Sequence, residues 1–273
     1  LVRRKGLIFA IALALVLGVV GTWEWKRIRD ASIIQRCVFT GASATYELSP
    51  EQAANASTIA AVAIRRGLPK RATTVALAAA LQESKLVSLN YGDRDSVGLF
   101  QQRPSQGWGP RASLIDPVYA SNKFFTALIR NSDWQRLSIA NAAQAVQRSA
   151  DGSAYAGWEP QARVMSETLN SNPYALTCYL HRYTTPTDSL SARKGAIMSD
   201  LKHVFGITNS LQMQTQGLTI DASGTKNGQL AAWMISHADQ YGIASVQAIQ
   251  HSWTRREWQK NSYSLSQIVV HFL

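Results

Sequence analysis

Thr73 to Ser84 is almost free of charge and turn formers, and Val75, Leu77, Ala78 and Leu81 recur at helical spacing, so the run reads as a buried helix. Glu83 falls in its last turn. The negative end of the helix dipole and apolar neighbours both disfavour a carboxylate there, and a carboxyl that keeps its proton is a general acid. Asn90-Tyr91-Gly92-Asp93-Arg94-Asp95-Ser96 follows as a turn, then Val97-Gly98-Leu99-Phe100-Gln101-Gln102 as a short apolar and amide segment. That order would set the amides of Gln101 and Gln102 across a cleft from Glu83. Tyr91 and Trp108, in loops beside this segment, are the rings expected to stack on sugar faces.

The residues also admit plainer readings. Glu83 has Lys85, Arg94 and Arg103 near in sequence as partners, and a glutamate at a helix end is usually solvated or paired. Asp93 and Asp95 invite the second carboxylate that many glycosidases use, but Asp-Arg-Asp-Ser in a turn more often bonds nearby backbone. No EF-hand spacing is present, and His181, His203, His237, His251 and His271 lack metal-ligand spacing, so no metal and no cofactor is expected. No G-x-S-x-G elbow supports a serine nucleophile.

Glu83-Ser84 followed by Gly98-Leu99-Phe100-Gln101 resembles the motifs of bacterial lytic transglycosylases and goose-type lysozymes, members of the lysozyme-like superfamily. The run through Arg103-Pro104-Ser105-Gln106-Gly107-Trp108-Gly109 is similar to a group of exported actinobacterial lysozyme-like proteins. The resemblance spans Ser49 to Leu169, with its motifs between Gln82 and Gln102. It implies that Glu83 is the catalytic acid and base, that Ser84 orients it, and that Gly98 and Gln101 line the cleft. The family's tyrosine, which braces the cleft, has no counterpart in Ala145-Val146-Gln147-Arg148-Ser149, so the resemblance carries fold further than activity.

The elements that must hold these residues are mostly helical. Ser49-Pro50-Glu51-Gln52 reads as an N-cap with proline in the first turn, opening a helix to Arg65 or Arg66 that Gly67 stops. Further helices are expected over Pro117–Ile129, Ile139–Arg148 and Glu159–Leu169, with any sheet before residue 170 confined to a hairpin near Tyr91–Gln101. HRYTTPTDSLSARK, His181 to Lys194, reads as a linker. Beyond it, helices at Ile197–Phe205 and Gln229–Tyr241 alternate with strands at Leu211–Ile220, Ser245–Gln250 and Ser266–Phe272. This tail resembles the small C-terminal domain of secreted actinobacterial wall proteins. The expected fold is a mainly α lysozyme-like domain (31–180), a linker (181–196) and a small α/β domain (197–273), preceded by one N-terminal transmembrane helix (1–30, spanning about 6–23).

That helix rests on Gly6 to Trp23, which is uncharged, follows Arg3, Arg4 and Lys5, and ends beside Trp23 and Trp25; a cleavable signal peptide is the alternative. Cys37 and Cys178, the two cysteines, flank the lysozyme-like region and are expected to pair outside a cell, the alternative being two buried thiols. A net charge of +11 favours anionic partners: peptidoglycan strands, anionic wall polymers and, through the N-terminal helix, the membrane; no nucleic-acid motif is present. The sequence thus reads as a single-pass membrane protein with an exterior body that cleaves the peptidoglycan glycan strand. The rival is an inactive lysozyme-fold protein that binds or scaffolds the wall.

Overall fold

The computed structural model describes residues 22, 24–148, 152–184, 186–207, 211–215, 217–221, 225–262 and 264–273. The apolar stretch Gly6–Trp23, expected to span a membrane, lies outside these apart from Thr22. Among the described residues no helix is long and apolar enough to cross a membrane. The fold is mixed α/β with two antiparallel sheets.

A helix over residues 24–31 (α1) leads into β1 (Arg36–Thr40) and β2 (Thr45–Leu48). Strand β3 (Leu176–Tyr179) returns to β1, giving a three-stranded sheet of order β2-β1-β3. Cys37 and Cys178 are register partners across β1 and β3 and form a disulfide, with Cα atoms 3.9 Å apart. This sheet corrects the expectation that only a hairpin near Tyr91–Gln101 would be extended; that segment contributes just an isolated bridge between Val97 and Gln102. The missed strands are four or five residues long, too short for alternation to stand out, although Cys37 and Phe39 do point inward together.

Between β2 and β3 lie α2 (Pro50–Arg65), α3 (Lys70–Ser84), α4 (Arg111–Leu114), α5 (Pro117–Arg130), α6 (Ile139–Gln147) and α7 (Glu159–Ser171). Ser49 and Gln52 close the expected capping box on α2, with Pro50 in its first turn. Helix α3 is buried at every residue from Ala72 to Leu81, which leaves it no solvated stripe there, so it is the central helix of the bundle.

Helix α8 (Leu190–Phe205) starts inside the expected linker, capped by Ser189. The tail holds β4 (Leu211–Met213), β5 (Gly217–Asp221), α9 (Thr225–Ser236), α10 (Ala238–Tyr241), β6 (Ile243–Ala248), β7 (His251–Trp253), β8 (Trp258–Lys260) and β9 (Gln267–Phe272). Its six strands form one antiparallel sheet of order β4-β5-β9-β6-β7-β8. The expected strand Leu211–Ile220 is in fact the hairpin β4–β5, and β7 and β8 add to the expected set.

The tail shares its core with the helical bundle. Helix α9 packs on α2 and α7, and one continuous set of buried apolar side chains runs from Cys37 to Phe272. Polar ties cross the same contact: Ser236 Oγ donates to Ser57 Oγ at 2.7 Å, and Trp258 Nε1 to Leu176 O at 2.8 Å. Asp30, buried, accepts from the backbone amides of Arg182 (2.7 Å) and Tyr183 (3.0 Å) and from the Arg256 guanidinium.

Candidate functional site

Glu83 sits one residue before the end of α3, half-buried, and the turn beneath it is held from three sides. The helix ends in two left-handed residues that are not glycine, Lys85 (φ 55°) and Leu86 (φ 64°), a conformation that costs of order 1–3 kcal/mol each and persists only where the surroundings enforce it. Two amides of α2 do so. Gln52 Nε2 donates to Lys85 O and Asn55 Nδ2 to Leu86 O, each at 2.8 Å, so the N-terminal turns of α2 satisfy the carbonyls of the two residues that follow α3.

The second side is Ser84. Its hydroxyl donates to Leu99 O at 2.8 Å as well as to Ala80 O at 3.2 Å, and the residue is buried. Ser84 therefore fastens the helix to the Gly98–Gln102 turn; its hydroxyl is spent on backbone and not on the neighbouring carboxyl.

The third side is a 3-10 segment, Gly152–Trp158, ahead of α7. Tyr155, fully buried, donates its phenol to Glu83 Oε1 at 2.6 Å. Trp158 Nε1 donates to Gln82 Oε1 at 2.7 Å, and Lys85 Nζ lies 4.0 Å from the Trp158 ring centroid. Residues three apart eclipse in a 3-10 helix, so Tyr155 and Trp158 face the end of α3 together. Among the described residues no Lys or Arg pairs with Glu83, and Oε2 has no protein partner. Arg103 goes instead to Asp95 (2.8 Å), and Arg94 to Asp93 (3.9 Å) at the exposed turn.

Gly98 has φ 77°, and a Cβ there would come within 2.1 Å of Leu114 O, so this position requires glycine on both counts. Gln101, also left-handed (φ 46°), folds its amide back into its own loop: Nε2 donates to Tyr91 O (3.3 Å) and Gly98 O (3.2 Å). Gln102 is buried, with Nε2 donating to Ala120 O at 3.2 Å, which leaves it no surface for a ligand. Gln147 Nε2 supports the turn from α6 by donating to Phe100 O at 2.8 Å. Tyr91 is 66% exposed on this loop. Trp108 is half-buried and lines a pocket of about 520 Å³ that does not include Glu83.

Asp95 is committed to structure. It accepts from Ser105 N (2.7 Å), Arg103 Nε (2.8 Å) and Ser105 Oγ (3.0 Å), and the Ser105 amide, followed by Arg103, holds its carboxyl well below the usual carboxylate range. No group of His, Cys, Asp and Glu among the described residues is arranged to hold a metal.

Chemically, the arrangement offers one carboxyl with one oxygen fixed by a phenol and the other without a partner among the described residues, at a helix end that Ser84 ties to the Gly98–Gln102 turn. Tyr155 escaped sequence reasoning because 72 residues separate it from Glu83 and the short Ala-Tyr-Ala-Gly-Trp stretch has no helical or strand period. The three-residue interval between Tyr155 and Trp158 was its only signal. No protein-family model matches the chain, and no curated protein matches its sequence.

Proposed function

We propose that the chain is a membrane-tethered enzyme of the lytic transglycosylase type that cleaves the glycan strand of peptidoglycan with Glu83 as its only carboxyl catalyst. The observation that carries this reading is the 2.6 Å Tyr155–Glu83 hydrogen bond at a carboxyl free of ion pairs among the described residues. A glutamate paired to Arg94 or Arg103 would have favoured a scaffold; this one has a phenol that fixes its plane and leaves Oε2 for a substrate. The resemblance of Glu83-Ser84 and Gly98-Leu99-Phe100-Gln101 to lysozyme-like motifs supports the same chemistry, and Tyr155 supplies the phenol that Ala145–Ser149 lacks.

In this mechanism Oε2 delivers its proton to the glycosidic oxygen as the bond from the sugar's anomeric carbon breaks. Positive charge develops at that carbon, and the leaving sugar departs with the proton. The resulting carboxylate then takes a proton from the C6 hydroxyl of the cleaved sugar, whose oxygen closes on the anomeric carbon. The product is an anhydro sugar, and Glu83 is protonated again. A lysozyme would instead take the proton from water. Asp95 is committed to Ser105 and Arg103 and so is not free to act as a second carboxylate, which favours the intramolecular route. The apolar stretch Gly6–Trp23 would hold the body at the membrane beside its substrate.

The test is the product. Purified peptidoglycan incubated with the full chain and analysed by mass spectrometry is expected to release anhydro-ended muropeptides. Reducing-ended products would make the chain a lysozyme, and no release where a control enzyme cuts would leave a wall-binding protein.

A further inference from the structure

The pocket behind the Gly98–Gln102 turn is lined by Lys123 and Arg130 of α5, Arg148 at the end of α6, and the Gln106–Trp108 turn. It measures about 520 Å³, its lining is mostly polar, and among the described residues no Asp or Glu lines it. None of the three cations forms an ion pair among the described residues. We propose that this pocket is a binding site for an anionic group, phosphate or carboxylate, carried on the wall glycan. The inference deepens the wall-glycan reading by naming a charged feature of the substrate.

Position at a helix end partly explains two of the cations. Arg130 closes α5 and Arg148 caps α6, where positive charge complements the helix dipole. Lys123 has no such account: it lies in the middle of α5, half-buried, with Nζ 5.3 Å from the Tyr119 ring centroid. Three cations lining one concavity repel each other to the extent that salt, with a screening length of about 8 Å at physiological strength, leaves their charges unscreened. An anion relieves that repulsion and accepts charge-assisted hydrogen bonds from the guanidinium groups.

The remaining lining suits a glycan-linked anion. Gln106 and Asn131 offer amide groups, and Trp108 offers a ring face to a sugar. Gln147 lines the pocket while donating to Phe100 O, which joins this wall to the turn that carries Gln101. A strand held at the turn therefore has an adjoining place for its acidic substituent.

The test compares sedimentation of the full chain with three wall preparations at physiological salt: intact, stripped of phosphodiester polymers by acid, and stripped of peptide stems by an amidase. The variants are K123Q/R130Q/R148Q and, matched in net charge, K26Q/K202Q/K260Q at exposed positions elsewhere. The pocket variant is expected to bind intact wall at least about 10-fold more weakly than wild type, and the matched variant within about 2-fold of it. Loss of the difference on acid-treated wall identifies phosphate as the ligand; its loss on amidase-treated wall identifies the stem carboxylates. Equal weakening by both variants, or wild-type binding of the pocket variant to intact wall, would overturn the proposal. Thermal melting confirms that each variant is folded. Glu83→Gln is expected to bind as wild type, so a chain that binds through the pocket but releases no fragments loses the enzyme reading and keeps this one. A chain that releases fragments while the pocket variant binds normally does the reverse.

Discussion

Tyr155 donates to Glu83 Oε1 at 2.6 Å from a segment that also sets Trp158 on Gln82, so two consecutive residues of α3 are gripped by one turn of 3-10 helix. The carboxyl at the helix end is thereby held in place without an opposing charge among the described residues.

Tyr155→Phe tests that grip. The ring remains, so packing is largely kept, while a hydrogen bond to an ionisable group worth about 1.5–3 kcal/mol is lost. Turnover on peptidoglycan is expected to fall about 10- to 100-fold with half-saturation nearly unchanged, because Tyr155 acts through Glu83 and does not hold the substrate. An unchanged rate would remove Tyr155 from the account.

Ser84→Ala separates support from orientation. The hydroxyl bonds Leu99 O and Ala80 O, so its removal should cost about 1–3 kcal/mol in urea unfolding with the Leu99 carbonyl left unpaired. If the variant loses activity at full stability, Ser84 touches the chemistry after all.

Gly98→Ala is expected to be the most disruptive single methyl in the turn. A left-handed φ of 77° and the 2.1 Å approach to Leu114 O act together, and the cost should exceed about 2 kcal/mol. Amide exchange would show faster opening of residues 97–102, and wild-type protection would contradict the reading.

The disulfide joins residues 141 apart in sequence. Its reduction should cost about 2–4 kcal/mol, read as a drop in the urea midpoint, since the open chain regains loop entropy. Near-equal midpoints for the oxidised and reduced chains would mean that the sheet alone closes the bundle.

His237 sets a pH limit. Burial pushes its imidazole down to about 4 from an ordinary 6.5, opposed in part by the Trp233 carbonyl it bonds at 2.9 Å. The unfolded chain takes up this proton at higher pH than the folded one. Stability should therefore decline as pH falls from about 6.5 to about 4, by an amount on the order of 3 kcal/mol. Ser57 and Thr58 of α2 and Ser236 of α9 face the ring, and Asp239, Asp200, Glu51, Asp116 and His203 line the adjoining cavity, so the loss reports on the contact between bundle and tail. His237→Gln should flatten that limb; an unaltered slope would assign it elsewhere. Asp95 acts in a lower window: its depressed carboxyl contributes stability that is lost only as pH falls below the ordinary value of 3.8.

The helices were legible because their signals are local. Ser49-Pro50-Glu51-Gln52 announces α2, and the apolar spacing before Glu83 announces α3, to within a few residues of the observed bounds. The three-stranded sheet was not, since its strands are 4–5 residues long and the partner of β1 that completes it lies beyond the whole bundle. The same distance hid Tyr155. Gln102 and Ser84 have the polar character of cleft residues, and only tertiary packing shows that their hydrogen bonds are spent inside the protein on Ala120, Ala80 and Leu99. Polarity in sequence reports a need for partners, not where they are.

The central claim is that Glu83 transfers the proton, and Glu83→Gln tests it most directly because the amide keeps the shape and cannot donate as an acid. Muropeptide release per hour, measured beside sedimentation with intact wall, is expected to fall by at least about 100-fold while wall binding stays at the wild-type level. Release by the variant at the wild-type rate would contradict the account.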